Sequence, residues 1–127
     1  MNPPEPKRIR IVIVDDHRVV RSGLTALLGQ YPWIAVAGEA GTVAEAVRET
    51  VRLRPDLVLM DVRLPDGKGY EACREIRRQA PETRVLFLTS FADEEIVLES
   101  LDAGADGYLL KEIDEEALVR GIQEVAA

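Results

Sequence analysis

The sequence predicts a three-layer α/β domain, a parallel five-stranded sheet with helices on both faces. Two apolar runs carry the first part of that reading. Ile11-Val12-Ile13-Val14 stops at Asp15 and Asp16, and Leu57-Val58-Leu59-Met60 stops at Asp61. Short aliphatic and β-branched runs of this kind mark strands covered on both faces. The second part is rhythm: five strand-like segments alternate with five helix-like ones, which calls for βαβ crossovers and a parallel sheet. At 127 residues the chain is one domain's worth, large enough for a real core.

Taken in order, residues 1–7 hold three prolines and are expected to form a loose tail, with one domain over 8–127. Strands are expected at Ile9–Val14, Ile34–Glu39, Leu57–Met60, Val85–Thr89 and Gly107–Leu110. The first, third and fourth are nearly all apolar and suit the centre of the sheet, whereas the second, with Gly38 and Glu39, suits an edge. Between them Val20, Leu24, Leu27 and Leu28 share one helical face, with Pro32 nearby to end the pattern. Thr42 and Glu45 form a capping box opening Val43–Leu53, which Pro55 closes. Tyr70–Ala80 is a charged helix with Ile76 inward, stopping before Pro81. Asp93, Glu94 and Glu95 give a negative first turn to a helix ending at Ala103. Asp114 opens Glu115–Val125, whose apolar stripe is Ala117, Leu118, Ile122 and Val125. The expected architecture is a flavodoxin-like (βα)5 sandwich with strand order 2-1-3-4-5.

Composition narrows the function. The hydrophobic fraction of 46% and charged fraction of 31% are those of a soluble globular protein. Sixteen basic residues against 23 acidic ones give a net charge of −7, which disfavours direct binding of a nucleic-acid backbone. The apolar runs fall well short of the about 20 residues of a membrane span, and no signal-peptide pattern opens the chain. The expected location is cytoplasmic. Cys73 is the sole cysteine and reads as a helix residue.

Chemistry concentrates at the expected carboxyl ends of the strands. Asp15 and Asp16 follow the first, Asp61 the third, Thr89 closes the fourth, and Lys111 follows the fifth. In an open α/β sheet ligands collect at that edge, at the point where strand order reverses. Three clustered carboxylates repel one another and need a counter-charge, for which Mg²⁺ is suited because it takes oxygen ligands. A carboxylate kept ionised can attack phosphorus to give an aspartyl phosphate. Phosphoryl transfer then asks mainly for positioning and for cations on the phosphoryl oxygens, a task for Lys111, while Thr89 offers a hydroxyl donor. Singly, each residue has an ordinary explanation: a helix cap for Asp15-Asp16, a loop acid for Asp61, a strand threonine, a surface lysine. The combination is what points to a site.

Over Arg8 to Val125 the chain resembles the receiver domain of two-component response regulators. The matching segments are Ile11-Val12-Ile13-Val14-Asp15-Asp16-His17, Leu59-Met60-Asp61-Val62-Arg63-Leu64-Pro65, Leu88-Thr89-Ser90-Phe91 and Gly104-Ala105-Asp106-Gly107-Tyr108-Leu109-Leu110-Lys111. Val14 through Leu24 is most similar to the NarL/FixJ subgroup, whose members usually carry a helix-turn-helix output domain. The resemblance implies that Asp61 accepts a phosphoryl group from a phosphohistidine on a sensor histidine kinase. It implies that Asp16, Asp61 and the backbone carbonyl of Arg63 ligate Mg²⁺, with Asp15 holding a metal-bound water. Lys111 would pair with the phosphoryl group, Thr89 and Tyr108 would form the switch pair, and the domain would homodimerise on phosphorylation, through a terminal helix.

Two departures from the family pattern follow. Glu112 stands where most receivers have a cis-linked proline; a cis bond to a non-proline residue costs about 3 kcal/mol, so a trans link is expected. No helix-turn-helix follows Ala127, and the subgroup resemblance favours an output domain lying outside this sequence over a stand-alone receiver. A degenerate receiver acting only as a protein-binding module is the main rival, and the presence of all five site residues argues against it. A cobalamin-binding loop of the form Asp-x-His-x-x-Gly fails at Val20, and an aspartyl-phosphate phosphatase fails at Arg63, where a second acid would be required. His17 is expected to be exposed in the first helical turn rather than a ligand, Trp33 to pack at a loop, and Arg63 to gate the phosphoryl group.

Overall fold

A computed structural model describes residues 8–90 and 94–127. Its strands are β1 (Ile9–Val14), β2 (Ile34–Ala40), β3 (Leu57–Met60), β4 (Arg63–Leu64), β5 (Gly67–Lys68), β6 (Arg84–Thr89) and β7 (Gly107–Leu110). The helices are α1 (Arg18–Leu28), α2 (Val43–Leu53), α3 (Gly69–Gln79), α4 (Glu94–Asp102) and α5 (Glu115–Ala126). β1, β2, β3, β6 and β7 form a parallel sheet in the order β2-β1-β3-β6-β7, with β2 at an edge. The expected order of 2-1-3-4-5 is corrected in its numbering. A two-residue antiparallel ribbon, β4–β5, intervenes after β3 and pairs Arg63 with Lys68 and Leu64 with Gly67.

Side-chain alternation along the strands divides the core. Val12, Val14, Val58, Met60, Val85 and Phe87 face α2, α3 and α4, together with Ala46, Cys73 and Ile76. Ile11, Ile13, Leu57, Leu59, Leu86 and Leu88 face α1 and α5, meeting Leu28, Leu118 and Ile122. Past their first residues β1, β3 and β6 are buried on both sides, which is why their sequences are nearly all apolar. Trp33 lies just before β2 and meets Tyr31 edge to face, with ring centroids 5.7 Å apart. Cys73 is buried against the carbonyl of Ala103, and burial pushes its thiol up to about 11.

Helix ends follow their caps. Thr42 Oγ1 accepts from the Glu45 amide at 3.1 Å, while the Glu45 carboxylate reaches back to Gly41 N rather than to Thr42 N. Arg54 ends α2 in the left-handed region, φ 49°, directly before Pro55. Asp114 caps α5 through the Ala117 amide at 2.8 Å. The expected role of Asp93 at the start of α4, and the Phe91 position of the fourth matching segment, lie outside the described residues, as do residues 1–7. No described peptide bond is cis, so the Lys111–Glu112 link is trans. No described helix is long and apolar enough to cross a membrane.

The turn between β4 and β5 carries a second cap. Asp66 accepts from the amides of Val43 at 2.7 Å and Ala44 at 3.1 Å, joining the ribbon to the first turn of α2. The Val43 amide is the main reason its carboxyl lies below the ordinary aspartate value of 3.8. An acid whose folded pKa is depressed stabilises the fold above 3.8 and loses that contribution as pH falls through the folded value. Asp66→Ala should therefore melt lower than wild type at pH 7, and the gap should narrow in scans below pH 4.

Candidate functional site

Each acid reaches the carboxyl edge of the sheet because a strand ladder runs one residue past its end. The Asp15 amide donates to Ala40 O at 3.0 Å and the Asp61 amide to Val14 O at 2.9 Å. The Lys111 amide donates to Thr89 O at 2.8 Å, which carries the lysine to the same edge from β7. Asp16, His17, Asp61, Arg63, Thr89, Ser90 and Lys111 line one crevice of about 170 Å³. Asp15 lies beneath it, only 2% exposed.

Lys111 Nζ is the electrostatic hub. It donates to Asp15 Oδ2 at 2.9 Å and to Asp61 Oδ2 at 3.1 Å. Burial alone would lower the lysine pKa, but the bonds to the two acids outweigh it and raise it. The acids respond differently. Burial pushes Asp15 up, yet Lys111, the His17 amide and the His17 ring together bring it below the ordinary value. Asp61 has Lys111 and the Val62 amide on its side, but burial and the neighbouring Asp15 charge leave its carboxyl raised.

Asp15, Asp16, His17 and Asp61 each place one ligand atom within 4.8 Å of the others, a set that could hold a metal ion. Three carboxylates meet one ammonium here, leaving two negative charges for a divalent cation, and carboxylate oxygens suit a hard one. His17, expected to be exposed, is indeed 68% exposed at the start of α1, but its Nδ1 lies 3.1 Å from both Asp15 Oδ1 and Asp16 Oδ1. Besides the buried Asp15, Tyr108 is the other expected site residue that does not line the crevice; it lies on β7, 39% exposed.

Two supports of the site escape sequence reasoning. Gly69 opens α3 against the acid loop: its amide donates to Val62 O at 2.6 Å, and a Cβ there would sit 2.4 Å from Asp61 O. Arg21 leaves α1 to donate from Nη1 to Asp15 O at 2.5 Å. Its spacing, four residues after His17 on the helix, is the one available signal.

A doubly wound sheet with a lysine-bridged acid cluster at its switch point defines a class of small acid-pocket domains. The response regulator receiver domain family model matches residues 11–123. The DNA-binding transcriptional activator DevR/DosR of Mycobacterium tuberculosis is 46% identical over 119 residues, covering 94% of this chain and 55% of that protein. Among solved structures, the signal receiver domain of NarL from Mycobacterium tuberculosis superposes with a TM-score of 0.91 at 31% identity, covering 95% of this chain and 98% of that one. A LuxR-family two-component response regulator from Aurantimonas sp. SI85-9A1 gives a TM-score of 0.90 at 38% identity, covering 94% and 86%. The chain belongs to the response regulator receiver domain family, in its NarL/LuxR subgroup. It spans about half the length of the curated relatives it matches.

Proposed function

We propose that this receiver domain is a phosphorylation switch in which Asp61 accepts a phosphoryl group from a sensor histidine kinase. The observation that carries the reading is Lys111 Nζ held between Asp15 and Asp61 at one edge of the sheet. Asp61 Oδ forms the new bond to phosphorus as the bond to the donor nitrogen breaks. Lys111 shifts its donation from Asp61 to the incoming phosphoryl oxygens, and the Thr89 hydroxyl donates to another. Asp16, Asp61 and the Arg63 carbonyl would hold Mg²⁺ directly, with Asp15 holding a bound water. When bound, the ion supplies positive charge to the phosphoryl oxygens. Thr89 and Tyr108 form the switch pair, biasing an element with two arrangements. Homodimerisation and control of transcription through an output domain complete the reading; any DNA contact belongs to that domain rather than to this acidic chain.

Incubation with Mg²⁺ and acetyl phosphate, followed by intact mass, tests the assignment. Wild type should gain one phosphoryl group and Asp61→Asn none. An unlabelled wild type would sink the assignment and favour the protein-binding reading, and labelling that survives in Asp61→Asn would sink it by putting the acceptor at another residue. Millimolar Mg²⁺ should also raise the melting temperature of wild type but not of Asp16→Ala, because a ligand bound only by the native state stabilises it. Equal melting of wild type in Mg²⁺ and in EDTA would remove the metal from the scheme.

A further inference from the structure

We infer that Arg21 is a positioning residue for the acid pair, setting the direction in which Asp15 and Asp16 present their carboxylates to a divalent cation. The inference rests on the metal-site reading just given. An arginine on a helix is by default a solvated charge, but the Arg21 side chain is only 20% exposed and turns inward to the sheet edge. Its Nη1 donates to the Asp15 carbonyl at 2.5 Å, and its Nε faces Glu39 Oε1, near the end of β2, at 3.4 Å. A Cβ at Gly41 would lie 3.1 Å from Nη1, so the loop after β2 closes over the guanidinium with little room to spare.

The carbonyl that Arg21 holds belongs to the peptide joining Asp15 to Asp16. That unit is planar, so fixing its oxygen fixes the plane and the direction in which Asp16 leaves it. Asp15 is thereby held at three points: its amide by Ala40 O, its carbonyl by Arg21 and its carboxylate by Lys111. Arg21 bonds to backbone rather than to the metal-binding oxygens, so it acts through their placement. A guanidinium also suits the task better than an ammonium, because Nη1 can bond the carbonyl while the delocalised charge stays 3.4 Å from Glu39 at Nε.

Calorimetric titration of the 127-residue chain with Mg²⁺ tests this, on wild type, Asp16→Ala, Arg21→Gln and Arg21→Lys. Removing an outer group that orients metal ligands weakens binding about tenfold or more, so Arg21→Gln should raise the Mg²⁺ Kd by about tenfold. Arg21→Lys keeps one donor for the carbonyl and should raise the Kd by about threefold, a partial rescue. A purely structural role would lower melting in EDTA and leave the Kd unmoved. The inference is overturned if both variants bind within about 1.5-fold of wild type, a difference too small for an outer-shell group. Should Arg21→Gln fail to fold, Arg21→Lys decides by the same limit. If wild type itself binds no Mg²⁺, the metal-site reading falls too; if wild type binds and Asp16→Ala does not, only the Arg21 inference is at stake.

Discussion

Lys111→Met should lose nearly all labelling by acetyl phosphate at pH 7, with a rate about a hundredfold below wild type. Two causes act together. The variant has no ammonium to take up charge as the phosphoryl group arrives. It also removes the hydrogen bond and charge that keep Asp61, already raised by burial, from rising further, so less of the attacking carboxylate is ionised. The same change should lower the melting temperature in EDTA, since Asp15 and Asp61 would face each other without their shared cation. Breaking a buried ion pair costs about 3–5 kcal/mol, but Lys111 is 22% exposed, which argues for about 2 kcal/mol.

The pH dependence separates the contributions. Lys111 has a raised folded pKa, so its stabilisation is complete below the ordinary lysine value of 10.5 and is lost as pH rises through the folded value. Asp15, depressed, stabilises above 3.8 and loses this as pH falls. Asp61 runs the other way: its raised carboxyl costs stability above 3.8, and that cost is relieved on acidification. The melting gap between wild type and Lys111→Met should be wide at pH 7 and narrow toward alkaline pH. Mg²⁺ should also raise the melting temperature of Lys111→Met more than that of wild type, because the cation no longer competes with an ammonium. A smaller Mg²⁺ effect in the variant would refute that competition.

Gly69→Ala should destabilise the domain by about 3 kcal/mol in urea unfolding, the upper range of an overpacked site. The new Cβ would stand 2.4 Å from Asp61 O, 2.8 Å from Phe87 Cε1 and 3.3 Å from Val62 Cα. Two of those neighbours are backbone of the acid loop, and the ring is in a buried core, so none can swing aside. Relief requires moving the Asp61 main chain, and labelling should fall along with stability. Gly23→Ala is the matching control. Gly23 is exposed in the interior of α1 with nothing within 4 Å of a new Cβ, so the same chemical change should stabilise by about 0.5–1 kcal/mol. Equal effects at the two positions would show that backbone entropy, not the clash, governs Gly69.

The strands and the acids were legible because both are written locally. Ile9–Val14, Leu57–Met60 and Gly107–Leu110 match at both ends, each an apolar run cut off by a charged residue or opened by glycine. Helix ends drift by one residue where capping is weak, as at Gly69 and Ala126, and hold where Thr42 or Asp114 fixes the start. The β4–β5 ribbon was invisible because two-residue strands carry no period. Arg21, Asp66 and Gly69 were missed for a different reason. Their partners, Asp15 O, the α2 amides and Asp61 O, come from elements that only the fold brings near. A sequence shows which residues can do chemistry more readily than which ones hold the stage still.

The single tryptophan has a practical consequence. Trp33 is tied to the start of β1 through its carbonyl, which accepts from Ile9 N, while the acids follow the far end of that strand, about 20 Å away. Its fluorescence should follow global unfolding and stay silent when the crevice fills. On that expectation the chain would carry its own stability gauge, one blind to signalling, and the occupancy proposed at Asp61 would have to be watched by other light.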